Sequence, residues 1–422
     1  MTTLPGGQGS DDHVGTGGQG SDDHVGTVGQ GSDDHVGTES PHMGAESSDP
    51  LAAALSVADF ADLARTALGE ELWDWLEGGA ERERTLAGNR DAFASVAVLP
   101  RVLTDVSSCD PACSLVRSPA ALPVAVAPIA YQRLFHAEGE LAVARAAADS
   151  GLPYTVSTLS SVPMEEIAAT GATTWFQLYW LRDKGAVLDL VQRAEAIGSE
   201  ALVLTVDVPV MGRRLRDMRH GFALPPTIRA ANLDGGGMSR AHERVDGGSA
   251  VAAHTASAFA PSLTWHDVEW LRERTRLPLV LKGLSHPADA LRAAELGAAA
   301  VVVSNHGGRQ LDGAAPSAVA LPAVVEAVEG AFGESCQVLV DSGIRGGADV
   351  LRALALGASG VLLGRPVLWG LAAGGQAGCA RVLSLLGEEF RHAMALSGCP
   401  DLAAAARLRT TTMPCHCGGE HQ

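Results

Sequence analysis

The sequence predicts an α/β fold: a closed (β/α)8 or TIM barrel with an N-terminal helical extension and a lid insertion after the fourth strand. Three observations predict it. Eight short, almost entirely apolar segments follow one another, and Ala/Leu-rich helical segments separate most of them. Strands of that composition are buried on both faces, as in parallel sheets covered by helices. Eight such units in about 250 residues favour closure into a barrel, with a doubly wound open sheet as the alternative.

Residues 1–49 are predicted to be a disordered tail. Residues 6–38 are three copies of an eleven-residue unit that ends Gln-Gly-Ser-Asp-Asp-His-Val-Gly-Thr each time, with almost nothing apolar to bury. The Gly-x-Gly-x-x-Gly pattern at 15–20 lacks a preceding strand and a following helix. The Gly-Gly-x-Gly-x-Asp pattern at 6–11 has the wrong period for a calcium-binding repeat. Neither pattern indicates a ligand site.

Residues 50–410 are predicted to form the barrel domain. One helix opens at Ser56–Phe60, and another ends at Leu72–Leu76 before two glycines. The predicted strands are 122–129, 153–158, 175–180, 201–207, 278–283, 299–305, 337–343 and 360–366. The helical segments between them include 137–150, 183–198, 286–297 and 346–357.

Two further segments are assigned by composition and position. Residues 213–262, after the fourth predicted strand, are rich in Gly, Ala, Ser and charge, and a long excursion at that place predicts a mobile lid. Residues 411–422 are predicted to be a flexible C-terminal tail.

Charge and cysteine content exclude several classes of function. The formal net charge is −18, and residues 1–49 hold nine acids and no Lys or Arg, which leaves −9 for the remainder. An acidic chain without a basic cluster does not favour nucleic acid as a partner.

The absence of a long apolar run and of a signal-peptide pattern predicts a soluble, cytoplasmic protein with no membrane partner. Seven scattered cysteines predict reduced thiols, and Cys415-His416-Cys417 with His421 is too weak a pattern to assign a metal.

Polar side chains follow the predicted strands. Residues Ser304 to Asp312 come after an apolar run, so His306 and Arg309 lie just past a buried strand. Because they are three residues apart on a loop, they can approach the same small ligand. The histidine can act as a base, and the arginine can donate two hydrogen bonds to a carboxylate. In a closed barrel the other strand-end residues converge on the same rim.

The turns after the seventh and eighth predicted strands are rich in glycine, and each carries an arginine. Backbone N–H groups with a guanidinium make a phosphate site, at the place where barrels usually bind phosphate. The alternative is that these glycines only permit tight turns. Because no P-loop and no strand-borne dinucleotide fingerprint is present, a mononucleotide-type cofactor fits better than NAD or a nucleoside triphosphate.

From about Leu55 to Leu408 the chain resembles the FMN-dependent 2-hydroxy-acid oxidase/dehydrogenase family of glycolate oxidase, lactate oxidase and mandelate-oxidising enzymes. The block around His306 is the signature of that family. Three phrases, Ala130–His136, Thr158–Val162 and Val208–Arg219, are most similar to the branch that oxidises 4-hydroxymandelate. The resemblance implies FMN as cofactor and a homotetramer, since barrels of this family commonly form tetramers.

The resemblance also implies roles for individual residues. His306 would take a proton from the 2-hydroxy acid, and Asp207 would stabilise the resulting imidazolium. Lys282 would stabilise negative charge on the reduced flavin. The flavin ring would contact Ala127, Pro128, Ile129, Ala130, Ser157, Gln177, Thr205 and Lys282, with Ser304, Arg309 and Asp341 also in the cofactor site. The phosphate would lie on Gly343, Arg345, Gly364 and Arg365.

The same resemblance implies a substrate pocket. Arg214 and Arg309 would hold the carboxylate, Tyr179 would contact the substrate oxygen, and Met211 would line the pocket. Trp75 stands where short-chain oxidases of the family usually have a carboxylate-binding tyrosine, and Leu159 stands where some relatives have a tryptophan. Both changes predict a bulky, aryl side chain on the substrate.

The predicted reaction is therefore oxidation of an (S)-2-hydroxy acid, mandelate or 4-hydroxymandelate, to the 2-oxo acid, with O2 reduced to H2O2. The enzymatic alternatives are a short-chain lactate or glycolate oxidase, a monooxygenase, and a dehydrogenase that uses a carrier as acceptor. A barrel that binds FMN without turnover and a non-flavin aldolase or isomerase are further alternatives from other functional classes.

Overall fold

A computed structural model describes residues 49–233 and 249–413. By its internal contacts the chain divides into residues 1–47 and 48–422, and everything described belongs to the second unit. The predicted disordered N-terminal tail, apart from Asp49, lies outside the described ranges, as do Cys415, His416, Cys417 and His421 and the middle of the predicted lid.

The described residues contain the following elements, numbered in chain order. The α-helices are α1 Pro50–Ala53, α2 Asp59–Ala67, α3 Glu70–Glu77, α4 Arg84–Ser95, α5 Glu140–Asp149, α6 Met164–Ala168, α7 Lys184–Ala196, α8 Leu215–His220, α9 Ala250–Ala258, α10 Trp265–Arg272, α11 Pro287–Glu295, α12 Ser317–Phe332, α13 Gly347–Ala355, α14 Arg365–Leu396 and α15 Leu402–Ala406. The strands are β1 Val96–Val98, β2 Cys113–Leu115, β3 Ser118–Ala120, β4 Val124–Val126, β5 Tyr154–Ser157, β6 Thr174–Tyr179, β7 Ala201–Thr205, β8 Leu279–Leu284, β9 Ala300–Val303, β10 Gln337–Val340, β11 Gly360–Leu363 and β12 Thr410–Thr412.

The eight strands β4 to β11 form a closed parallel barrel in chain order, and β11 pairs with β4 through Val361 and Val124. All eight overlap the predicted strands, so the predicted barrel is confirmed and the open sheet is wrong. The strands are short and almost wholly buried, as their continuous Val/Leu/Ala runs require when helices cover one face and a packed interior the other.

Two apolar clusters make the core. The smaller fills the barrel interior, and it includes Ala125, Trp175, Val203, Val280, Val302, Leu339 and Leu362. The larger lies between the strands and the surrounding helices, where α5, α7, α11 and α13 occupy the predicted helical segments.

A hairpin that sequence reasoning did not predict, β2 with β3, closes the amino-terminal end of the barrel. It places Leu115 and Val116 in the interior cluster. The Val116 N–H donates to Gln337 at the start of β10 (2.8 Å), and the Trp175 indole donates to Ser118 (2.9 Å). With that end plugged, the carboxyl ends of the strands are left to form a site.

The insertion after β7 contributes two helices to the described residues. Helix α8 packs against α3, and α9 ends in an antiparallel bridge between Phe259 and Leu181, just after β6. The mobility of this segment stays a prediction. No helix among the described residues is long and apolar enough to cross a membrane.

Candidate active site

A cleft of about 1220 Å³, counting the part open to solvent, lies at the carboxyl ends of the barrel strands. Most of the residues predicted for the site line it: Trp75, Ala127, Pro128, Ile129, Ala130, Ser157, Leu159, Tyr179, Thr205, Met211, Arg214, Lys282, His306, Arg309, Asp341, Gly343, Arg345, Gly364 and Arg365. The remaining three, Asp207, Gln177 and Ser304, lie behind this lining and hydrogen-bond to it.

His306 follows β9 and faces the carboxylate of Asp207. Its Nδ1 lies 3.1 and 3.2 Å from the two Asp207 oxygens, which leaves Nε2 as the ring nitrogen for a ligand in the cleft. Burial raises the pKa of Asp207, but the positive charges of His306 and Lys282 outweigh burial and hold that pKa below its ordinary value. An ionised Asp207 orients the imidazole and stabilises its protonated form.

Gly283 permits this approach of Asp207. It lies at an irregularity of β8 between Lys282 and Leu284, with a φ of +107°. A Cβ at this position would lie 2.5 Å from Cγ of Asp207, so any larger residue would displace the carboxylate.

Lys282 is a buried cation held at two points. Its Nζ lies 2.9 Å from Asp341 Oδ2 and donates to Ser304 Oγ at 3.0 Å. Burial lowers the pKa of Lys282, but Asp341 and Asp207 more than offset burial and raise that pKa above its ordinary value. The lysine is therefore a fixed positive charge at the floor of the cleft.

Three polar side chains from neighbouring strands form a hydrogen-bonded row beside Lys282. Gln177 on β6 donates through Nε2 to Thr205 Oγ1 on β7 (3.1 Å) and accepts from Ser157 on β5 (3.3 Å). These bonds fix the direction of each group, as a site for a planar polar ligand requires.

Four half-buried arginines, Arg214, Arg309, Arg345 and Arg365, share the cleft. Burial lowers the pKa of Arg345 to about 10, with a contribution from the charge of Arg365. Burial also lowers the pKa of Arg309, with Arg214 and Arg365 adding to the effect. Burial likewise lowers the pKa of Arg214 and of Arg365. Like charges crowded into one cleft favour anionic ligands.

Two of these arginines are anchored to the end of α3. Nη1 of Arg309 donates to the carbonyl oxygens of Trp75 (2.9 Å) and Gly78 (2.9 Å), and Arg365 donates through Nε to the carbonyl of Leu76 (3.1 Å). Unpaired carbonyl groups at a helix C-terminus attract cations. The helical extension thus positions guanidinium groups that belong to the barrel.

Nε1 of Trp75 and Nε of Arg214 are buried donors in the cleft for which the described residues supply no hydrogen-bond partner. Trp75 also lies under the guanidinium of Arg309, 5.3 Å from ring centre to charge, and its ring packs 5.7 Å from both Phe135 and Phe222. A buried donor without a partner is costly, so both are available to a ligand atom.

Several residues of the cleft were missed by the sequence reasoning. Tyr131 directly follows the predicted turn 127–130, and Val251, Thr255 and Phe259 come from α9 and its end. Phe259 stacks on Tyr179 at 4.5 Å between ring centres. The four-residue spacing of the last three is a usable helical signal, but nothing in the sequence indicates that this helix turns back over the barrel.

Asn89 on α4 was also missed. Its side-chain amide exchanges two hydrogen bonds with that of Asn305, at 2.8 and 2.7 Å, and both residues are buried. Asn305 in turn accepts from the Gly308 N–H (3.0 Å), so this pair fixes the loop that carries His306.

Comparison with known proteins gives a consistent result. The sequence model described as FMN-dependent dehydrogenase matches residues 64–411. The chain is 58% identical over 356 residues to 4-hydroxymandelate oxidase of Amycolatopsis orientalis, covering 84% of this chain and 98% of that protein. It is 48% identical over 358 residues to L-lactate oxidase of a Nostoc strain, covering 83% and 96%. A crystal structure of mandelate oxidase with (S)-4-hydroxymandelic acid has a TM-score of 0.82 at 57% identity, covering 85% of this chain and 99% of the other.

Proposed function

The chain belongs to the FMN-dependent dehydrogenase family, as an FMN-dependent 2-hydroxy-acid oxidase, and we propose that its substrate is an aryl (S)-2-hydroxy acid, mandelate or 4-hydroxymandelate. The product is the 2-oxo acid, and O2 takes the electrons and leaves as H2O2. The relatives named for mandelate and 4-hydroxymandelate support this substrate class, as does the cleft itself.

The observation that carries the proposal is the concentration of positive charge in the cleft. Four half-buried arginines and the buried Lys282 converge there, and burial together with mutual repulsion lowers the pKa of Arg309 and of Arg345. Two separate anionic groups, a phosphate and a carboxylate, compensate this charge better than one.

The residues present fit FMN. Arg365 is the first residue of α14, and the guanidinium of Arg345 lies over the ring of Trp369 in the same helix (5.4 Å). Both charges are therefore near a helix N-terminus, where N–H groups and the helix dipole favour a phosphate. A Cβ at Gly364 would meet nothing closer than 3.9 Å, so this turn faces space that a ligand can occupy. The row of Ser157, Gln177 and Thr205 supplies polar groups for the ring. Bound FMN supplies a two-electron acceptor.

The chain's own residues perform the remaining steps. Arg214 and Arg309 bind the substrate carboxylate and orient the carbon that bears the hydroxyl. His306 accepts the proton at Nε2, and Asp207 stabilises the charge that the ring gains. Tyr179 donates to the substrate oxygen, and Lys282 places a fixed cation beside the site where negative charge develops.

The walls of the cleft favour an aromatic substituent. Trp75 presents an indole with a buried, unpartnered N–H rather than a phenol, and Leu159 and Met211 add apolar surface. Val251, Thr255 and Phe259 of the insertion cover the same space. An aryl ring can bury its faces here while its acid group reaches the arginines.

The proposal also covers the oligomeric state, the cellular location and the electron acceptor. The enzyme acts as a homotetramer, as its resemblance to family barrels suggests, and we propose that it acts in the cytoplasm. O2 is the acceptor because the 58% and 48% identical relatives are named oxidases, although a 44% identical relative is named L-lactate dehydrogenase.

A substrate panel tests the proposal. Peroxide formation is followed with (S)-mandelate, (S)-4-hydroxymandelate, L-lactate and glycolate at equal concentrations. We expect the aryl acids to give the highest kcat/KM. A clear preference for glycolate or L-lactate would assign the chain to the short-chain oxidases, and substrate oxidation without peroxide would indicate a monooxygenase or a carrier-linked dehydrogenase.

A further inference from the structure

Tyr131 is a buried phenol with no role in the reaction steps above. The residue is 1% exposed, it lines the cleft, and its hydroxyl has no hydrogen-bond partner among the described residues. Burying a hydroxyl without a partner costs free energy. A ligand atom that reaches this hydroxyl would recover that cost.

We propose that the Tyr131 hydroxyl binds a hydroxyl group on the aryl ring of the substrate and thereby selects a 4-hydroxylated 2-hydroxy acid over the unsubstituted one. This inference rests on the proposed function, since it requires an aryl substrate in the cleft. It adds a specificity-determining residue to the cleft.

The location of Tyr131 supports this assignment. Its main-chain N–H donates to the carbonyl oxygen of Leu159 at 3.0 Å. Leu159 is the residue predicted to leave space for a bulky substituent, and both residues line the same cleft. The reacting end is already supplied with donors by Arg214, Arg309 and Tyr179.

The backbone holds Tyr131 in one place. Its φ of +55° is unusual for a residue other than glycine, and the Leu134 N–H donates to its carbonyl oxygen at 3.0 Å. A fixed side chain loses little entropy when a ligand binds, which makes it suitable for discrimination. Backbone conformations of this kind concentrate at functional sites.

The phenol is also in the right protonation state. Burial raises the pKa of Tyr131, and the neighbouring Tyr179 raises it further. At neutral pH the group is therefore a neutral hydroxyl that can both donate and accept. A hydroxyl on an aryl ring has the same two capacities, so the two can pair in either direction.

Replacement of one oxygen tests the inference. The Tyr131→Phe variant should lower the ratio of kcat/KM for (S)-4-hydroxymandelate to kcat/KM for (S)-mandelate about three- to tenfold, the effect of one neutral hydrogen bond. The matched control is Tyr154→Phe, which makes the same change in a fully buried tyrosine of β5 outside the cleft. Its ratio should equal that of the wild type.

The outcomes separate the two proposals. A ratio unchanged in Tyr131→Phe, or an equal loss for both substrates, would overturn the inference and leave the aryl oxidase standing. A wild type that oxidises neither aryl acid would overturn the proposed function and this inference with it. With the wild type alone, 4-hydroxymandelate should exceed 4-methylmandelate in kcat/KM, and the reverse order would also overturn the inference.

Discussion

At the scale of single residues, His306 and Asp207 are the pair on which turnover should depend most. The carboxylate of Asp207 hydrogen-bonds to Nδ1 of the imidazole and lies close to the charge of Lys282. The histidine therefore presents one defined nitrogen to the substrate, with a counter-charge already in place. Binding of the cofactor and binding of the carboxylate use other residues, so base catalysis can be removed separately.

The His306→Gln variant should bind FMN yet oxidise its substrate about 10²- to 10⁴-fold more slowly, the usual effect of a missing general base. The measurement is the rate of flavin bleaching by (S)-mandelate without oxygen. His266→Gln is the matched control, because that side chain is 86% exposed and lies outside the cleft. If the flavin of His306→Gln bleached at the wild-type rate, His306 would not be the catalytic base.

Lys282 should make a pH-dependent contribution to stability. Because its pKa in the folded protein is raised above the unfolded value of about 10.4, the contribution is fully present below that pH and is lost as pH rises through the folded pKa. Lys282→Met should lower the free energy of unfolding by about 3–5 kcal/mol at pH 7, since it leaves Asp341 buried and unpaired.

Urea unfolding of the wild type and of Lys282→Met between pH 7 and pH 11 checks this linkage. The free energy of unfolding of the wild type should exceed that of Lys282→Met by a constant amount up to about pH 10, and this difference should become smaller above that pH. A difference that widens at high pH would mean that the lysine is held neutral in the fold.

The sequence was sufficient to predict which strand-end residues lie at the site. It was not sufficient to predict which other side chains contact or hydrogen-bond to them. Side chains at the ends of parallel strands must converge, so His306, Asp207 and Lys282 could be assigned before the fold was known. Asn89 and Tyr131 could not be, because a buried amide pair or an unpartnered phenol depends on which neighbours the folded chain supplies.

At the scale of elements, strands and loops place these side chains. The barrel strands were predictable because parallel strands buried on both faces have continuous apolar sequences. The β2–β3 hairpin was not, since strands of three residues carry too little pattern and β3 contains Pro119. The path of α9 over the cleft depends on tertiary contacts, such as the bridge between Phe259 and Leu181.

Gly283 offers a test of how β8 positions the base. In Gly283→Ala the new Cβ would meet the Asp207 carboxylate and move it away from His306, so kcat should fall at least tenfold with FMN still bound. The control is Gly198→Ala, which also has positive φ (+78°) but nothing within 4 Å of the added Cβ. Both variants should lose some stability, because positive φ disfavours alanine. Equal kcat values in the two would show that the approach of Asp207 is unimportant.

At the scale of the whole molecule, catalysis should belong to the barrel alone. The family match starts at residue 64, and the 58% identical relative is matched over 98% of its length by 84% of this chain. The described structure starts at Asp49, which caps the N-terminus of α1. The acidic repeats lie before all of these residues.

Deletion of residues 1–45 should leave kcat, KM and FMN content unchanged, because no described residue of the cleft is removed. Steady-state kinetics of the full-length and shortened proteins, purified in parallel, make this comparison. A change in KM would assign the repeats a role in substrate access, which their composition does not predict.

The central claim is that one cleft holds FMN beside an aryl 2-hydroxy acid and transfers the electrons onward to O2. The most direct measurement is anaerobic mixing of the purified holoprotein with (S)-mandelate while the flavin absorbance is followed. The account predicts rapid bleaching, then recovery of the absorbance with formation of H2O2 when air is admitted. A flavin that stays oxidised with (S)-mandelate and with (S)-4-hydroxymandelate would contradict it.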